Sequence, residues 1–230
     1  MKYVIIPARG GSKGIKNKNL KKVGGITLVE WSIIHAKFIT SKTDKIIVSS
    51  DSEPILKAAK KHNVIALKRP KYLSGDKVFT EPVMDHVLSK FQLEDKDLVI
   101  LLQPTSPLRK KETLKEVVGV VEKGNAESSL TLKSTQYFFW KNKGIYIQPE
   151  YSERPRRQDM DPQLVETGSV YITKYKNYKK TGIRLSGKTQ GIVSYDSESV
   201  DVDNNIDLEF VNLLSPEYLK EWKKEIPISK

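Results

Sequence analysis

The chain has 230 residues, a formal net charge of +12 and no cysteine. This length suits one α/β domain with a full apolar core. The lack of cysteine excludes disulfides, thiolate nucleophiles and cysteine-ligated zinc. The three histidines, His35, His62 and His86, are scattered along the chain, which argues against an imidazole metal site or histidine catalysis.

Charge and hydropathy narrow the classes of partner. The chain has no run of about 18 apolar residues and no charged N terminus followed by an apolar stretch, so we expect neither a membrane span nor a signal peptide, and a cytoplasmic location. The positive charge suits nucleic acid, a membrane surface or nucleotide phosphates. Because lysines are spread along the chain without a basic block, we expect solvated helix faces and one phosphate site, with no specific nucleic-acid or membrane binding.

A glycine-rich cationic loop follows the first predicted strand, residues 3–6. Its small residues are Gly10, Gly11 and Ser12, which let backbone amides approach an anion. Its cations are Arg9, Lys13 and Lys18. The loop is neither a Walker A motif nor GxGxxG. A flexible surface turn is the alternative, but the end of a first parallel strand is where a nucleotide-binding sheet holds phosphate. The position therefore favours a triphosphate-binding loop.

Apolar runs and amphipathic helical patterns alternate up to residue 133, as expected for a parallel sheet covered by helices on both faces. The strands are predicted at 3–6, 45–49, 64–67, 98–102 and 128–132. Helical stripes are Leu28, Trp31, Ile34 and Phe38, then Val83, Val87, Leu88 and Phe91, then Leu114, Val117, Val118 and Val121. A further helix over 53–62 would be capped by Asp51 or Ser52.

The alternation of predicted strands and helices is interrupted after residue 133. Residues 137–147 predict a β-hairpin around Asn142-Lys143-Gly144, and residues 148–161 a polar loop. We interpret 134–165 as an insertion into a single domain spanning 1–230. Strands at 169–173 and 191–195 follow. A helix over 204–214 is predicted to face inward through Ile206, Phe210, Leu213 and Leu214, with Pro216 stopping or restarting the chain and a short helix over 217–225.

Asp201 and Asp203 stand two apart on an extended segment, so both carboxylates project from one face. Mg²⁺ prefers one or two carboxylates together with waters and substrate phosphate oxygens. Exposed aspartates on an edge strand are the alternative. The chemical complementarity of this pair to the cationic loop favours a magnesium site.

Two further loops carry candidate ligands for a polar substrate. Gln103 begins a turn stiffened by two prolines after the most apolar strand, and Arg109 either binds an anion or locks this loop to its neighbours. A rigid connection without a ligand is the alternative. The densest arginine cluster is Arg154, Arg156 and Arg157, where a solvated loop is the default and the choice of arginine over lysine favours anion recognition.

Together these segments resemble the acylneuraminate cytidylyltransferases, which join a sialic-acid-type sugar to CMP using CTP. The matching segments are IPARGGSKGI with Lys18-Asn19, Arg69-Pro70 with Leu73 and Asp76, LLQPTSPLR at 101–109, Arg157-Gln158-Asp159, GSVYI at 168–172 and DVD at 201–203. The resemblance implies a Rossmann-like nucleotidyltransferase of the α/β class, with a mainly parallel sheet. It also implies that 134–165 is a dimerisation arm that helps build the sugar pocket of the partner in a homodimer.

The resemblance also implies roles for individual residues. It assigns the CTP phosphates to Arg9, Lys13 and Lys18, the cytidine end to Asn19, Arg69 and Thr80, the sugar to Gln103 and Tyr171, the sugar carboxylate to Arg157 with Lys141, and Mg²⁺ to Asp201 and Asp203. The implied partners are CTP and an acidic nine-carbon sugar. Since no histidine is suited to act as general base, the metal would lower the pKa of the attacking hydroxyl.

The chain departs from the family pattern near the sugar. Thr167 stands where the family commonly has Asn, and Met160-Asp161-Pro162 stands where Leu-Pro usually follows Gln-Asp. These departures leave the identity of the sugar open. A Kdo-type cytidylyltransferase is one alternative, although its loop usually reads Ala-Arg-Tyr, and a non-catalytic nucleotide-binding or RNA-binding domain is another. The enzyme interpretation requires the N-terminal cations and the two aspartates to meet in space.

Overall fold

The computed structural model describes residues 1–226. Its strands are β1 (Lys2–Pro7), β2 (Lys22–Val23), β3 (Ile26–Thr27), β4 (Lys45–Ser50), β5 (Ile65–Lys68), β6 (Leu98–Leu102), β7 (Ser128–Thr135), β8 (Trp140–Asn142), β9 (Ile147–Pro149), β10 (Gln163–Lys174) and β11 (Thr189–Val193). The helices are α1 (Leu28–Ile39), α2 (Glu53–Lys61), α3 (Thr80–Leu88), α4 (Lys111–Glu122), α5 (Tyr175–Thr181) and α6 (Asn205–Glu221). All five strands predicted before residue 133 are present.

Seven strands form one sheet in the order β11-β7-β10-β6-β1-β4-β5. Parallel pairs join β1 to β4 and β6, β4 to β5, and β7 to β11. Within this seven-stranded sheet, as the described residues form it, only β10 runs antiparallel to its neighbours, β6 and β7, while β2–β3 and β8–β9 are separate antiparallel pairs. The prediction of a mainly parallel sheet is confirmed. As a result the carboxyl ends of β1, β4 and β6 meet at one edge, where open α/β sheets bind their ligands.

Helices cover both faces of the sheet, as predicted. Alternate residues of β1 point to opposite faces, with Val4 and Ile6 on one and Tyr3 and Ile5 on the other. The first face packs against α1, α2, α4 and α6, and the second against α3 and α5. Among the described residues, no helix has the length and apolar character needed to cross a membrane.

The predicted insertion lies between β7 and β10. Next to the insertion, the pairing of these two strands begins with Thr135 opposite Gln163. Both strands therefore extend into the range 134–165 at its two ends. The hairpin is formed by β8 and β9, so it sits two to three residues further along the chain than predicted. Its turn is where the sequence placed it, with Gly144 at φ 86° and its amide donated to the Asn142 side chain.

The prediction for the last helix is wrong in two respects. Pro216 lies inside α6 instead of ending it. Proline has no backbone N–H, so Pro216 cannot donate to the carbonyl of Asn212, four residues earlier. The Ser215 hydroxyl donates to that carbonyl instead, at 2.7 Å. The separate helix over 217–225 is largely the continuation of α6.

The prediction of which face of α6 is buried is also wrong. Ile206, Phe210 and Leu213 are exposed, and of the four predicted residues only Leu214 packs on the core. The buried stripe consists of Val211, Ser215, Tyr218 and Trp222. The helix carries two apolar stripes at helical spacing, and the Trp222 indole, which donates to the Arg109 carbonyl at 2.8 Å, belongs to the stripe that is buried.

Arg109 locks the loop after β6 to the neighbouring strand. It is 1% exposed, and its guanidinium donates to the Gln103 carbonyl at 2.5 Å and to the Ser169 hydroxyl and carbonyl at 2.8 and 3.1 Å. Its other terminal nitrogen contacts His35 Nδ1 at 3.1 Å and the Ser32 hydroxyl at 3.4 Å. Burial lowers the pKa of Arg109 to about 9, so the group stays cationic at neutral pH. All its donors are engaged within the protein, which confirms the locking alternative.

We expect Arg109→Lys to lower the free energy of unfolding by roughly 2 to 4 kcal/mol, because a lysine cannot satisfy the buried acceptors on Gln103 and Ser169 together. The measurement is urea denaturation. The control is Arg156→Lys on the exposed arm, where a change within about 0.5 kcal/mol is expected. Equal stability losses in the two variants would contradict the assignment.

Candidate functional site

A pocket of 210 Å³ opens at the carboxyl ends of β1, β4 and β6. Seven of the residues predicted from the sequence line it, namely Arg9, Ser12, Lys18, Asn19, Arg69, Thr80 and Gln103. These side chains come from four separate stretches of the chain, and the parallel sheet brings them to one edge. The grouping predicted from separate motifs is therefore present in space.

A larger and more open depression of 780 Å³ lies at the opposite edge of the sheet. Its cations are largely engaged with acids: Lys2 contacts Glu122 at 2.8 Å, and Lys176 contacts Glu127 at 3.2 Å. None of the predicted site residues lines it. Chemistry, not volume, therefore selects the smaller pocket as the candidate site.

The glycine-rich loop is held to the sheet by its own backbone. The Gly10 amide donates to the Asp51 carboxylate at 2.8 Å, and the Asn19 side chain donates to the Arg9 carbonyl at 2.9 Å. A Cβ on Gly10 would lie 2.8 Å from the Ser52 Cβ, so the close approach of loop and α2 needs glycine. Ser52 occupies the N-cap position of α2 as one alternative predicted, but its side chain makes no capping bond.

Arg69 closes the pocket beside β4. It is buried, and its guanidinium donates to the Ser49 hydroxyl at 3.1 Å and to the Ser49 carbonyl at 2.7 Å. Burial lowers the pKa of Arg69 to about 10, while the nearby Asp51 carboxylate acts in the opposite direction. The side chain is thus a cation at neutral pH that is fixed by the strand end.

The N-terminal loop and the aspartate pair lie in contact. Lys18 Nζ is 2.9 Å from the Asp203 carboxylate. The Val202 amide donates to the Thr105 carbonyl at 2.8 Å, which holds the aspartate segment against the loop after β6. Gly14 packs so closely on the Asp203 carbonyl that a Cβ would overlap with it. The spatial condition set by the sequence is met.

Asp201 lies beside the same contact. Desolvation raises the pKa of Asp201 above its ordinary value and the neighbouring Asp203 charge adds to this, whereas a hydrogen bond with Thr105 and the charge of Lys18 oppose it. The residue as a whole is exposed, so water limits the size of this shift. Within residues 1–226 no group of three or more metal-ligating side chains occurs. A site with two carboxylates suits an ion that also takes water and phosphate oxygens.

A further carboxylate in the pocket was missed as a functional candidate. Asp76, noted in the sequence only as part of a motif, lies 2.7 Å from Arg9 Nη1 and 3.2 Å from Lys13 Nζ. The hydrogen bond from Lys13 and the charges of both cations hold the pKa of Asp76 below its ordinary value. Spacing along the chain gives no signal of this contact, because the partners are more than sixty residues apart.

The sugar-side candidates Gln103 and Tyr171 differ in accessibility. Gln103 lines the pocket and is fixed by the Arg109 contact. Tyr171 is 6% exposed, and its hydroxyl donates to Glu166 at 2.8 Å. Arg184, which the sequence reasoning missed, lies with its guanidinium 5.1 Å from the centre of the Tyr171 ring and 2.7 Å from Glu81.

Lys141 and Arg157 lie on the arm and do not line the pocket of their own chain. Lys141 is 3.7 Å from Glu150 across the β8–β9 hairpin. The Arg157 guanidinium lies 5.8 Å from the centre of the Tyr137 ring. Their assignment to the sugar stays a prediction.

Comparison with known proteins agrees with the motifs. A family model described as cytidylyltransferase matches residues 3–201. The N-acylneuraminate cytidylyltransferase of Oncorhynchus mykiss is 31% identical over 211 residues, which cover 88% of this chain and 48% of that protein. The CMP-N,N'-diacetyllegionaminic acid synthase of Legionella pneumophila is 30% identical over 212 residues, covering 88% of this chain and 91% of that protein. The chain spans about half the length of the first of these relatives.

Structural similarity supports the same assignment at the level of the fold. A CMP:2-keto-3-deoxy-manno-octonic acid synthetase solved in complex with CTP aligns with a TM-score of 0.67 over 95% of this chain and 99% of that one, at 16% identity. The predicted α/β nucleotidyltransferase fold is confirmed. With a family model that spans most of its length and a relative of 30% identity that is covered to 91%, the chain belongs to the cytidylyltransferase family, and it is similar to acylneuraminate and legionaminate members of that family.

Proposed function

We propose that this chain transfers CMP from CTP to the anomeric hydroxyl of a sialic-acid-type nonulosonic acid. The anomeric oxygen forms a bond to the α-phosphorus, the bond from that phosphorus to the bridging oxygen breaks, and pyrophosphate leaves while the hydroxyl loses its proton. The contact between Lys18 and Asp203 carries the proposal, because it brings the carboxylate pair, which does not itself line the pocket, against a lysine of the phosphate loop that does. Such reactions depend mainly on positioning and on neutralising phosphate charge.

Different residues are proposed to bind the triphosphate and the cytidine parts of the nucleotide. Arg9, Lys13 and Lys18 supply positive charge for the triphosphate, and Asn19, Arg69 and Thr80 line the part proposed for cytidine. Gln103 extends from the locked loop toward the sugar side. Electrostatic groups held in place before the reaction lower its barrier because they need no reorganisation.

We propose Mg²⁺ as the cofactor, held by Asp201 and Asp203. Both carboxylates are exposed, and the cationic loop that would hold the triphosphate lies beside them. When bound, the ion would offset phosphate charge and lower the pKa of the sugar hydroxyl. Asp203 would share its charge between the ion and Lys18.

The relatives support a nonulosonic acid as the sugar. One is named for N-acylneuraminate and another for diacetyllegionaminate, at nearly equal identity. Thr167, a departure from the family pattern, is buried and hydrogen-bonded to the Thr131 hydroxyl at 2.7 Å, so it shapes the β7–β10 pair. Pyrophosphate release from CTP, assayed with N-acetylneuraminate, legionaminate, pseudaminate and Kdo, distinguishes the sugars. Release with Kdo alone would favour the octulosonate alternative, and the lack of release with any sugar would count against the enzyme.

We further propose a homodimer in which the arm completes the site of the partner subunit. The arm exposes eight large apolar or aromatic side chains, Tyr137, Phe139, Trp140, Ile145, Tyr146, Ile147, Leu164 and Val165. Contiguous exposed apolar surface commonly marks an interface. Arg157 and Lys141 lie outside the pocket of their own chain, which suits a role across such an interface. The cytoplasmic location stays a prediction from the sequence.

Replacing Asp201 or Asp203 by Asn should lower the rate of CMP transfer by about a hundredfold or more while the fold is kept, because each substitution removes charge at the proposed metal site. The measurement is pyrophosphate release in the presence of Mg²⁺. Asp196→Asn removes a nearby carboxylate outside the pair and should keep wild-type activity. Normal turnover in the double variant would contradict the metal assignment.

Gly14→Ala should lower activity about tenfold or more, because the new methyl group would push the N-terminal loop away from Asp203 and a small displacement weakens positioning strongly. Gly11→Ala in the same loop meets no atom within 4 Å and should lose much less activity. Steady-state kinetics of both variants test this. Equal losses would show that the contact with Asp203 is not required.

A mixed dimer tests whether the arm acts on the other subunit. Arg157→Ala and Asp201→Asn chains carrying different tags would be co-expressed and purified together. If the arm acts across the interface, one of the two sites is complete, and the mixed dimer isolated through both tags should recover about half of the wild-type activity at subsaturating sugar. A mixed dimer as inactive as its parents would place Arg157 at its own site or at none.

A further inference from the structure

Asp76 bridges two cations of the phosphate loop. Its two carboxylate oxygens bind different partners, one Arg9 Nη1 at 2.7 Å and the other Lys13 Nζ at 3.2 Å. It lies in a turn closed by the Val78 amide, which donates to the Gly75 carbonyl at 3.2 Å, and this turn forms one wall of the pocket. The cations proposed to bind the triphosphate are thus in contact with a carboxylate of the protein.

Within the described chain, these two cations are the only hydrogen-bonding or ionic partners of the Asp76 side chain. The other carboxylates near the loop have additional tasks. Asp51 accepts the Gly10 amide and so shapes the backbone, and Asp203 belongs to the proposed metal pair. The Asp76 carboxylate caps no helix and fixes no turn, so its charge acts on Arg9 and Lys13 alone.

We propose that Asp76 is an internal counter-anion that competes with phosphate for Arg9 and Lys13, and so determines how tightly the site holds CTP and how readily it releases pyrophosphate. This inference rests on the proposed function, since it takes these cations to bind the triphosphate. Partly exposed ion pairs are weak, so a more highly charged polyphosphate can replace them. Every ligand that needs both cations is weakened to a similar extent.

The proposed role of Asp76 predicts different effects on ligands with and without phosphate groups. CTP and pyrophosphate must displace Asp76 or share the cations with it, whereas cytidine does not reach them. Asp76 therefore lowers the affinity for the triphosphate substrate and for the pyrophosphate product, and leaves nucleoside recognition unchanged. Weaker retention of the product favours turnover when product release limits the rate.

The test is Asp76→Asn, which keeps the size of the side chain and removes its charge. We expect CTP and pyrophosphate to bind about threefold to tenfold more tightly by isothermal titration calorimetry at fixed ionic strength, with unchanged affinity for cytidine measured by displacement. Asp76→Ala provides the same loss of charge if the Asn variant does not fold.

Glu53→Gln is the matched control. Glu53 lies in the first turn of α2 at the same edge of the sheet, and its partner is the exposed Lys68 at 3.6 Å, not a cation of the loop. It removes the same charge from the protein. The proposal expects a much smaller effect on CTP binding than in Asp76→Asn.

Three results would overturn the proposal: unchanged or weaker CTP binding in Asp76→Asn, tightening no greater than in Glu53→Gln, or equal tightening of cytidine. Weaker binding would mean that Asp76 positions the cations or contacts the nucleotide itself. Failure of the wild-type chain to bind CTP would instead count against the proposed function. Wild-type binding without tightening in the variant would remove only the role of Asp76.

Discussion

The contact between Lys18 and Asp203 is the interaction on which the interpretation of this molecule depends. It joins residues 185 positions apart, one from the first loop and one from the segment before the last helix. The close packing of Gly14 on the Asp203 carbonyl and the hydrogen bond from Val202 to Thr105 hold the same junction through backbone groups. Backbone contacts of this kind define position better than long side chains do, because fewer rotatable bonds must be ordered.

A buried cation, Arg109, makes the site rigid on its sugar side. Arg109 is a fully buried cation, and its partners are hydroxyls, carbonyls and one imidazole nitrogen. Removing a cation from water costs free energy, and the complete set of hydrogen bonds offsets that cost. The result is a loop after β6 whose Gln103 is fixed against β10. The same strand carries Tyr171, so this one guanidinium links the loop of Gln103 to the strand of the other proposed sugar contact.

The cations of the phosphate loop are partly neutralised by carboxylates of the protein itself. Arg9 and Lys13 are paired with Asp76, and Lys18 with Asp203. An excess of unpaired cations at one edge would repel itself and would attract many polyanions. Carboxylates within the site reduce both effects. These close pairs therefore offset part of the positive charge of the loop, and they still leave more cations than carboxylates among the residues that they join.

The sequence by itself determined the class of the fold, the strands before residue 133 and the pocket residues that lie within local motifs. These depend on short-range patterns, namely apolar periodicity, glycine and proline positions and the clustering of cations after a strand. Only the tertiary structure decided which stripe of α6 is buried, since two stripes of similar hydropathy compete and packing against Arg109 and α1 selects Trp222. It also decided that Arg109 locks a loop and that Asp76 bridges two cations, because such contacts join residues far apart in the chain, and no local sequence pattern marks them.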